Sequence, residues 1–191
     1  AQGYVQYGFR PAQAVAIHAG VRANYWTLNS EAVFSPRLQL VWNPAPRANS
    51  SDSTRGYRGN RFQLRAAVGM YAQPAFYREL RNIDGNINRN RTAQQSIHYI
   101  LGTDYTFEMW GRPFKLSVEA YYKDLNNQVP FEMQNIRLRY YAFETADGHA
   151  FGADAKINGQ FIRGLESFFR LSYLDTRERV QSIPNATVRR P

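Results

Sequence analysis

The sequence of 191 residues contains no cysteine. This absence excludes a disulfide scaffold, a thiolate zinc site and a cysteine nucleophile. The chain also has no run of about 18 apolar residues, so the sequence predicts no transmembrane helix. Lysine is nearly missing, because Lys115, Lys123 and Lys156 are the only lysines among 24 basic residues, set against 15 acidic ones. The positive charge is therefore carried almost entirely by arginine, for which the anionic lipid phosphates of an outer leaflet are a natural partner.

The sequence also lacks the signatures of common catalytic sites. It has no Gly-Lys-Ser/Thr phosphate loop, no dinucleotide-binding glycine fingerprint and no Gly-x-Ser-x-Gly elbow. His18, His98 and His149 are separated by 80 and 51 residues, which is not metal-ligand spacing. We therefore expect no enzymatic activity, no resident metal ion and no cofactor.

What the sequence contains is alternation with a period of two. Between residues 14 and 27 the odd positions are apolar or aromatic while the even positions include His18, Arg22 and Asn24, which predicts a strand. An aromatic content of 15% argues against disorder, because so many rings need a surface to pack on. With the opening segment 1–9, the pattern predicts eight strands and no helix. The other seven are 14–27, 32–43, 60–71, 96–108, 113–124, 146–158 and 165–175.

The length and edges of these strands favour a membrane sheet over a soluble sandwich. Strands of about 10 to 14 residues exceed the usual ~5–6 residues of globular sheets and suit a tilted crossing of a bilayer. Aromatic residues mark both strand ends, as in the aromatic girdles of outer-membrane barrels. One end carries Tyr25, Trp26, Tyr99, Tyr122 and Tyr173, and the other carries Trp42, Phe62, Phe107, Trp110, Phe114 and Phe161. The predicted fold is all-β, an antiparallel transmembrane β-barrel.

Connection lengths alternate along most of the chain. Short connections near 10–13, 109–112 and 159–163 lie at one end, and long ones near 73–93, 124–146 and beyond 176 lie at the other. Short periplasmic turns and long external loops produce this pattern. The short 28–30 and the long, Ser-, Pro- and Arg-rich 44–59 break it, and we interpret 44–59 as a flexible insertion. Pro36 predicts an edge-like or bulged start of the third strand.

Several stretches resemble the barrel of TonB-dependent outer-membrane receptors, in the form found in Bacteroidetes-type bacteria. The segment 140–154 resembles a strand of that family that reads roughly N-A-x-x-A-x-G-x-E, with Asp154 in the acidic position. The resemblance rests on the succession of pieces along nearly the whole chain rather than on one diagnostic motif. The other stretches are 34–40, 71–81, 96–102, 109–116 and 119–126.

The resemblance implies that residues 1–191 form a partial barrel domain. Such a receptor has about 22 strands around an N-terminal plug, and eight strands correspond to the later-middle portion of its C-terminal half. The plug and the closing strand have no counterpart here, and both ends of the sequence look cut. The implied function is uptake of a large scarce solute (siderophore, cobalamin, glycan or peptide) through the outer membrane. The implied partners are outer-membrane lipid and lipopolysaccharide, the TonB complex through the missing N-terminal part, and a surface lipoprotein.

The candidate ligand-binding residues lie in the two long connections. Aromatic rings beside Arg, Asn and Asp can stack on a polar solute and hydrogen-bond to it. A polar surface loop that merely meets water has the same composition. The lumen-facing residues Arg22, Arg65, Glu119 and Arg170 suit a substrate path or a contact with the plug, but a cross-strand charge ladder that keeps the interior polar accounts for them better. The candidates are Tyr77, Arg78, Arg81, Asp84, Asn88 and Arg91 in the first connection, and Arg137, Arg139 and Tyr141 in the second.

Two other functions remain open on the sequence. One is a passive porin or small structural barrel that closes on its own eight strands. The other is a soluble basic β-domain that binds polysaccharide or nucleic acid. Nucleic acid is not the partner we expect, because the arginines are spread over loops and the polar strand face rather than gathered on one stripe.

Overall fold

The fold is all-β, as the alternation predicted. A computed structural model describes residues 1–44, 61–180 and 187–190. The chain forms eight long strands of 11 to 17 residues. It also forms a separate two-stranded hairpin and a short final strand. The strands are β1 (Gln2–Ala12), β2 (Val15–Trp26), β3 (Glu31–Trp42), β4 (Arg61–Gln73), β5 (Gln94–Met109), β6 (Arg112–Gln128), β7 (Phe131–Gln134), β8 (Arg137–Tyr140), β9 (Ala146–Ile162), β10 (Leu165–Val180) and β11 (Thr187–Arg190).

The eight long strands form one antiparallel sheet in the order in which they occur along the chain. The strand order is β1-β2-β3-β4-β5-β6-β9-β10, and β11 adds a short ladder to β10. All eight strand predictions are confirmed, with the ends of β5, β6, β9 and β10 extending further than the periodicity indicated. Within the described residues β1 and β11 lie at opposite edges and do not pair with each other, so the sheet has two open edges.

The apolar faces of the eight strands meet in register. Across β2, β3 and β4, for example, Ala19 lies opposite Leu38, which in turn lies opposite Val68. The same face continues through Leu101 and reaches Leu171 on β10. No second layer from the described residues covers this face, and the exposed fraction of Leu101 is 55% and that of Leu171 is 64%. A broad apolar surface therefore runs across the whole sheet.

The opposite face is polar, and several of its charges are paired across strands. Asp104 lies 3.5 Å from the Arg65 guanidinium and 3.3 Å from the Lys115 ammonium. Further along the sheet, Arg170 lies 3.4 Å from Asp154. These pairs link β4, β5 and β6, and then β9 and β10, which is the cross-strand ladder that the alternation allowed.

Pro36 marks a gap between two neighbouring strands. It lies opposite Val21 in the β2–β3 ladder, whereas the β3–β4 ladder begins only at the next residue, with Arg37 opposite Gly69. Proline has no backbone N–H to donate to a second neighbour. The first half of β3 therefore pairs on one side only, and this agrees with the predicted edge-like start.

The hairpin of β7 and β8 was not predicted. It lies inside the connection that the sequence presented as a loop, and it turns through Asn135 and Ile136, which both have positive φ. The usual cue for such a turn is Asn-Gly, and a β-branched residue at positive φ is rare. The predicted flexible insertion 44–59 lies outside the described residues apart from Pro44. Among the residues the structure describes, no helix is long and apolar enough to cross a membrane.

Candidate ligand-binding site

Three connections gather at one end of the sheet and form a single unit, which we call the loop cap. They are residues 27–30, 74–93 and 129–145, and they lie together because consecutive antiparallel strands place every second connection at the same end. At the other end the connections that the structure describes in full are tight turns. One of them places Trp110 and Gly111 at positive φ, as a two-residue hairpin requires.

The loop cap has a small core of its own. Ala75, Leu80 and Val129 are buried together, and Trp26 and Tyr140 pack against them. These residues come from the end of β2, from the 74–93 connection, and from the 129–145 connection with its hairpin. Most large apolar side chains of the sheet are exposed, so this cluster is where a hydrophobic interior forms within the described chain.

Arg91 is a structural member of the loop cap. Its exposed fraction is 5%, and its guanidinium donates to the carbonyl oxygens of Glu144 (2.7 Å), Gln128 (2.9 Å) and Asn127 (3.1 Å). Burial lowers the pKa of the Arg91 guanidinium from its ordinary value. The side chain that we singled out as a ligand contact therefore ties the first long connection to the second.

Three further side chains hold the 74–93 connection to its neighbours. The Asn127 side-chain amide donates to Thr92 Oγ1 at 2.7 Å and to the Ala93 carbonyl at 2.9 Å. The Glu31 carboxylate accepts from the Ala93 backbone N–H at 2.9 and 3.1 Å, and Asn29 donates to both Glu31 and the Arg91 carbonyl. These bonds hold the short 27–30 connection against the 74–93 connection, so a short turn lies at the same end of the sheet as the two long connections.

The candidates at the start of the 74–93 connection lie on its surface. Tyr77 and Arg78 are exposed, and the Arg81 guanidinium donates to the Tyr77 hydroxyl at 3.2 Å. Asp84 closes a small turn by accepting from the Asn86 backbone N–H at 3.0 Å. That bond, together with the Asn82 and Asn86 side-chain amides, lowers the Asp84 pKa below its ordinary value. Tyr77, Arg78 and Arg81 remain available to a solute, while the Asp84 carboxylate is engaged locally.

The remaining candidates divide between a structural and a surface position. Asn88 donates its side-chain amide to the Ala142 carbonyl at 2.9 Å and so joins the two long connections. Arg137 and Arg139 are exposed on β8. The Tyr141 hydroxyl donates to Glu132 at 2.8 Å, and this bond to a carboxylate raises the Tyr141 pKa. Within the described part of the chain, no hydrogen bond joins Arg137, Arg139 or Tyr141 to the Tyr77–Arg81 group.

A polar pocket of about 440 Å³ lies where the loop cap meets the polar face of the sheet. It lies where β3 and β4 are not paired, beside the part of β3 that precedes the β3–β4 ladder, and its walls include residues of β2 to β6 and Glu79 of the loop cap. A larger cavity of about 680 Å³ continues along the polar face toward β1. The two cavities share Arg22, Arg37, Tyr71 and His98.

These shared residues include a cation–aromatic stack. The Arg37 guanidinium carbon lies 4.4 Å from the centroid of the Tyr71 ring, and the Tyr71 and His98 rings stack with centroids 4.3 Å apart. Gly69 leaves room for the stack, because a Cβ there would lie 3.1 Å from the Tyr71 ring and 3.2 Å from the Arg37 stem and would crowd both. We did not single out these residues from the sequence, because they lie on three strands and converge only through the register.

Nothing in the described segments resembles a metal centre, since no group of three or more His, Asp or Glu side chains converges there. The chain matches no family model, no curated protein and no solved structure with which it was compared. The site must therefore be interpreted from its own geometry.

Proposed function

We propose that this chain is part of the barrel wall of an outer-membrane receptor for TonB-dependent uptake of a large scarce solute. The solute class is siderophore, cobalamin, glycan or peptide. In this proposal the apolar face meets lipid, the polar face lines the interior, and the loop cap is external. Tyr77, Arg78 and Arg81, with Arg137 and Arg139, contact the solute.

The observation that carries the proposal is the continuous apolar face. Large apolar side chains on all eight long strands share it, and the described chain leaves it uncovered. Soluble proteins rarely expose apolar patches beyond a few hundred Å². A lipid environment explains a face of this extent, because acyl chains cover it without a second protein layer.

The open edges support a large barrel rather than a small one. In lipid every backbone N–H and C=O needs a partner, so a sheet with two free edges requires further strands. Because β1 and the last strands do not meet in the described chain, the arrangement suits a segment of a wider wall. A passive barrel closed on its own eight strands has less support from this strand order.

Aromatic side chains support the same orientation in the bilayer. Near the loop cap the Tyr99 and Tyr122 rings lie 6.4 Å apart, and at the opposite end the Trp42 and Phe62 rings lie 6.2 Å apart. Amphipathic rings favour the headgroup level, so two such belts are expected at the two membrane surfaces. The strand length between them is sufficient for a tilted crossing.

Cysteine labelling tests the membrane part of the proposal. The 191 residues contain no cysteine. The single variant Leu101→Cys therefore reports on the apolar face, and the single variant Tyr77→Cys reports on the loop cap. Any cysteine elsewhere in the coding sequence is replaced by serine. In intact cells we expect Tyr77→Cys to react with a membrane-impermeant maleimide and Leu101→Cys to react only with a lipid-soluble one. Both must react after denaturation in urea. Equal reaction of the two with the impermeant reagent in the folded protein contradicts the proposal.

Uptake measurements test the energy-coupled part. Deletion of the gene is expected to abolish accumulation of one labelled solute among a ferric siderophore, cobalamin, an oligosaccharide and an oligopeptide. The same loss is expected in cells without the TonB complex. Accumulation that persists without that complex favours the passive porin, and quantitative release of the protein by an alkaline wash without detergent favours a soluble basic domain.

A further inference from the structure

We propose that the pocket beneath the loop cap binds a solute through an oxyanion, either a carboxylate or a phosphate. This inference rests on the proposed function only in taking the pocket to be open to a solute. The residues that recognise the oxyanion are Arg37 and Arg22, with Ser35 as a hydroxyl donor and the Tyr71–His98 pair as a flat wall.

The first support is an unpaired hydroxyl in the wall of the pocket. Ser35 is 1% exposed, and its Oγ has no hydrogen-bond partner among the described residues. The Ser96 Oγ, also buried and without a partner there, lines the same pocket. Burying a hydroxyl without a hydrogen-bond partner costs folding free energy. Two such hydroxyls beside one cavity therefore indicate that a polar ligand binds there and hydrogen-bonds to them.

The second support is the state of Arg37. Within the part of the chain that the structure describes, no carboxylate or carbonyl accepts a hydrogen bond from its guanidinium, and its recorded contact is with the Tyr71 ring. A guanidinium presents five donors in a planar fork that matches an oxyanion. The contact with the Tyr71 ring occupies no hydrogen-bond acceptor, so the N–H donors of Arg37 are available to a ligand.

The third support is the charge of the pocket walls. Arg22 and Arg37 contribute two full positive charges, and the Arg22 guanidinium donates one hydrogen bond to the Gln2 side-chain oxygen. The acidic residue in the wall, Glu79, already accepts from the Phe76 backbone N–H at 2.8 Å and from the Gln94 side chain at 2.9 Å. The pocket therefore favours an anion over a neutral or cationic solute.

The test measures binding in the detergent-purified protein made from its complete coding sequence. The probes are labelled citrate and glucose 6-phosphate, with glucose as the neutral control, in equilibrium dialysis. The His98 ring signal in a ¹³C-histidine spectrum, assigned by its loss in His98→Gln, reports the place of binding. We expect one or both oxyanions to bind and to shift the His98 signal, and the tighter one identifies the preferred group. Binding of glucose with equal affinity, or no shift of His98 with either oxyanion, overturns the inference.

Matched variants separate recognition from folding. Arg37→Gln is expected to weaken binding at least about tenfold, because it removes a charge-assisted hydrogen bond. Ser35→Ala, which adds no bulk, is expected to weaken binding about threefold to tenfold. Arg170→Gln makes the same chemical change on the polar face of β10 and should leave affinity unchanged. Equal losses in the Arg37 and Arg170 variants, or unchanged affinity in both the Arg37 and Ser35 variants, contradict the assignment.

The outcomes also distinguish this inference from the proposed function. Oxyanion binding with the expected variant pattern, in a protein that fails the labelling and uptake tests, keeps the pocket and rejects the receptor. Energy-dependent uptake in a protein whose His98 signal does not respond keeps the receptor and rejects the pocket.

Discussion

Replacement of Arg91 by methionine should loosen the whole loop cap. The guanidinium joins residue 91 to the carbonyls of Asn127, Gln128 and Glu144, and methionine keeps the apolar stem while removing all the donors. A hydrogen bond to a charged group contributes about 1.5–3 kcal/mol, and bonds made by one guanidinium are not additive. We expect a loss of about 3 kcal/mol in the free energy of opening the cap, which is about a 150-fold rise in the open population.

Amide hydrogen exchange measures this loss directly. The reporters are the backbone N–H groups of Asn88, which donates to the Leu80 carbonyl, and Asn127, which donates to Asp147. Their exchange should accelerate about 150-fold, while amides at the centre of β5 keep their wild-type rates, because local opening leaves the sheet ladder intact. The lowered Arg91 pKa does not alter this expectation at neutral pH, where a guanidinium stays charged.

Arg89→Met is the matched control. Arg89 lies in the same connection and is exposed, so the same chemical change there should leave exchange within about twofold of wild type. If Arg91→Met changes exchange at Asn88 and Asn127 by less than about threefold, or if Arg89→Met has an equal effect, Arg91 does not hold the connections together.

Three further predictions concern the sheet and the small turn of the cap. Gly159→Ala should lower stability by about 1–3 kcal/mol in denaturant unfolding, because its Cβ overlaps the Phe114 ring, and Phe114→Leu should restore part of the loss; an unchanged midpoint in the single variant contradicts this packing. Leu101→Arg should reduce the free energy of folding into a bilayer by about 2–4 kcal/mol, whereas Leu101→Ile should leave it nearly unchanged. Equal folding free energies of the two variants would show that this face does not contact lipid. The Asp84 carboxyl should titrate below its ordinary pKa in ¹³C spectra, because the Asn86 N–H stabilises its charged form. The support it gives the turn is therefore present above its unfolded-state pKa and is lost as pH falls through the lowered folded pKa, so Asn86 amide protection should fall in that acid range in wild type and not in Asp84→Asn.

The predicted binding residues show how far composition leads. Arg and Asn in a long connection indicate a polar loop, and Tyr77, Arg78 and Arg81 do lie on its surface. Composition does not separate a solvent-facing arginine from one that serves the fold. Arg91 became a structural residue because Asn127, Gln128 and Glu144 direct three carbonyls at one point, and those residues are 36 to 53 positions away in sequence.

The sequence by itself determined the strands and their two faces, because a period of two is a local property of the extended chain and each strand carries its own copy of it. Tertiary structure alone decided which polar residues meet. Arg37, Tyr71 and His98 converge because the ladders align three strands and because Gly69 leaves room between them. The pocket beside them lies where the β3–β4 ladder is absent, on the side of Pro36 away from Arg37, and Pro36 itself has no N–H to donate. The strand register, the N–H that Pro36 lacks and the Cβ that Gly69 lacks all act between neighbouring strands. Their combined effect on which side chains meet is therefore determined only when the strands pair.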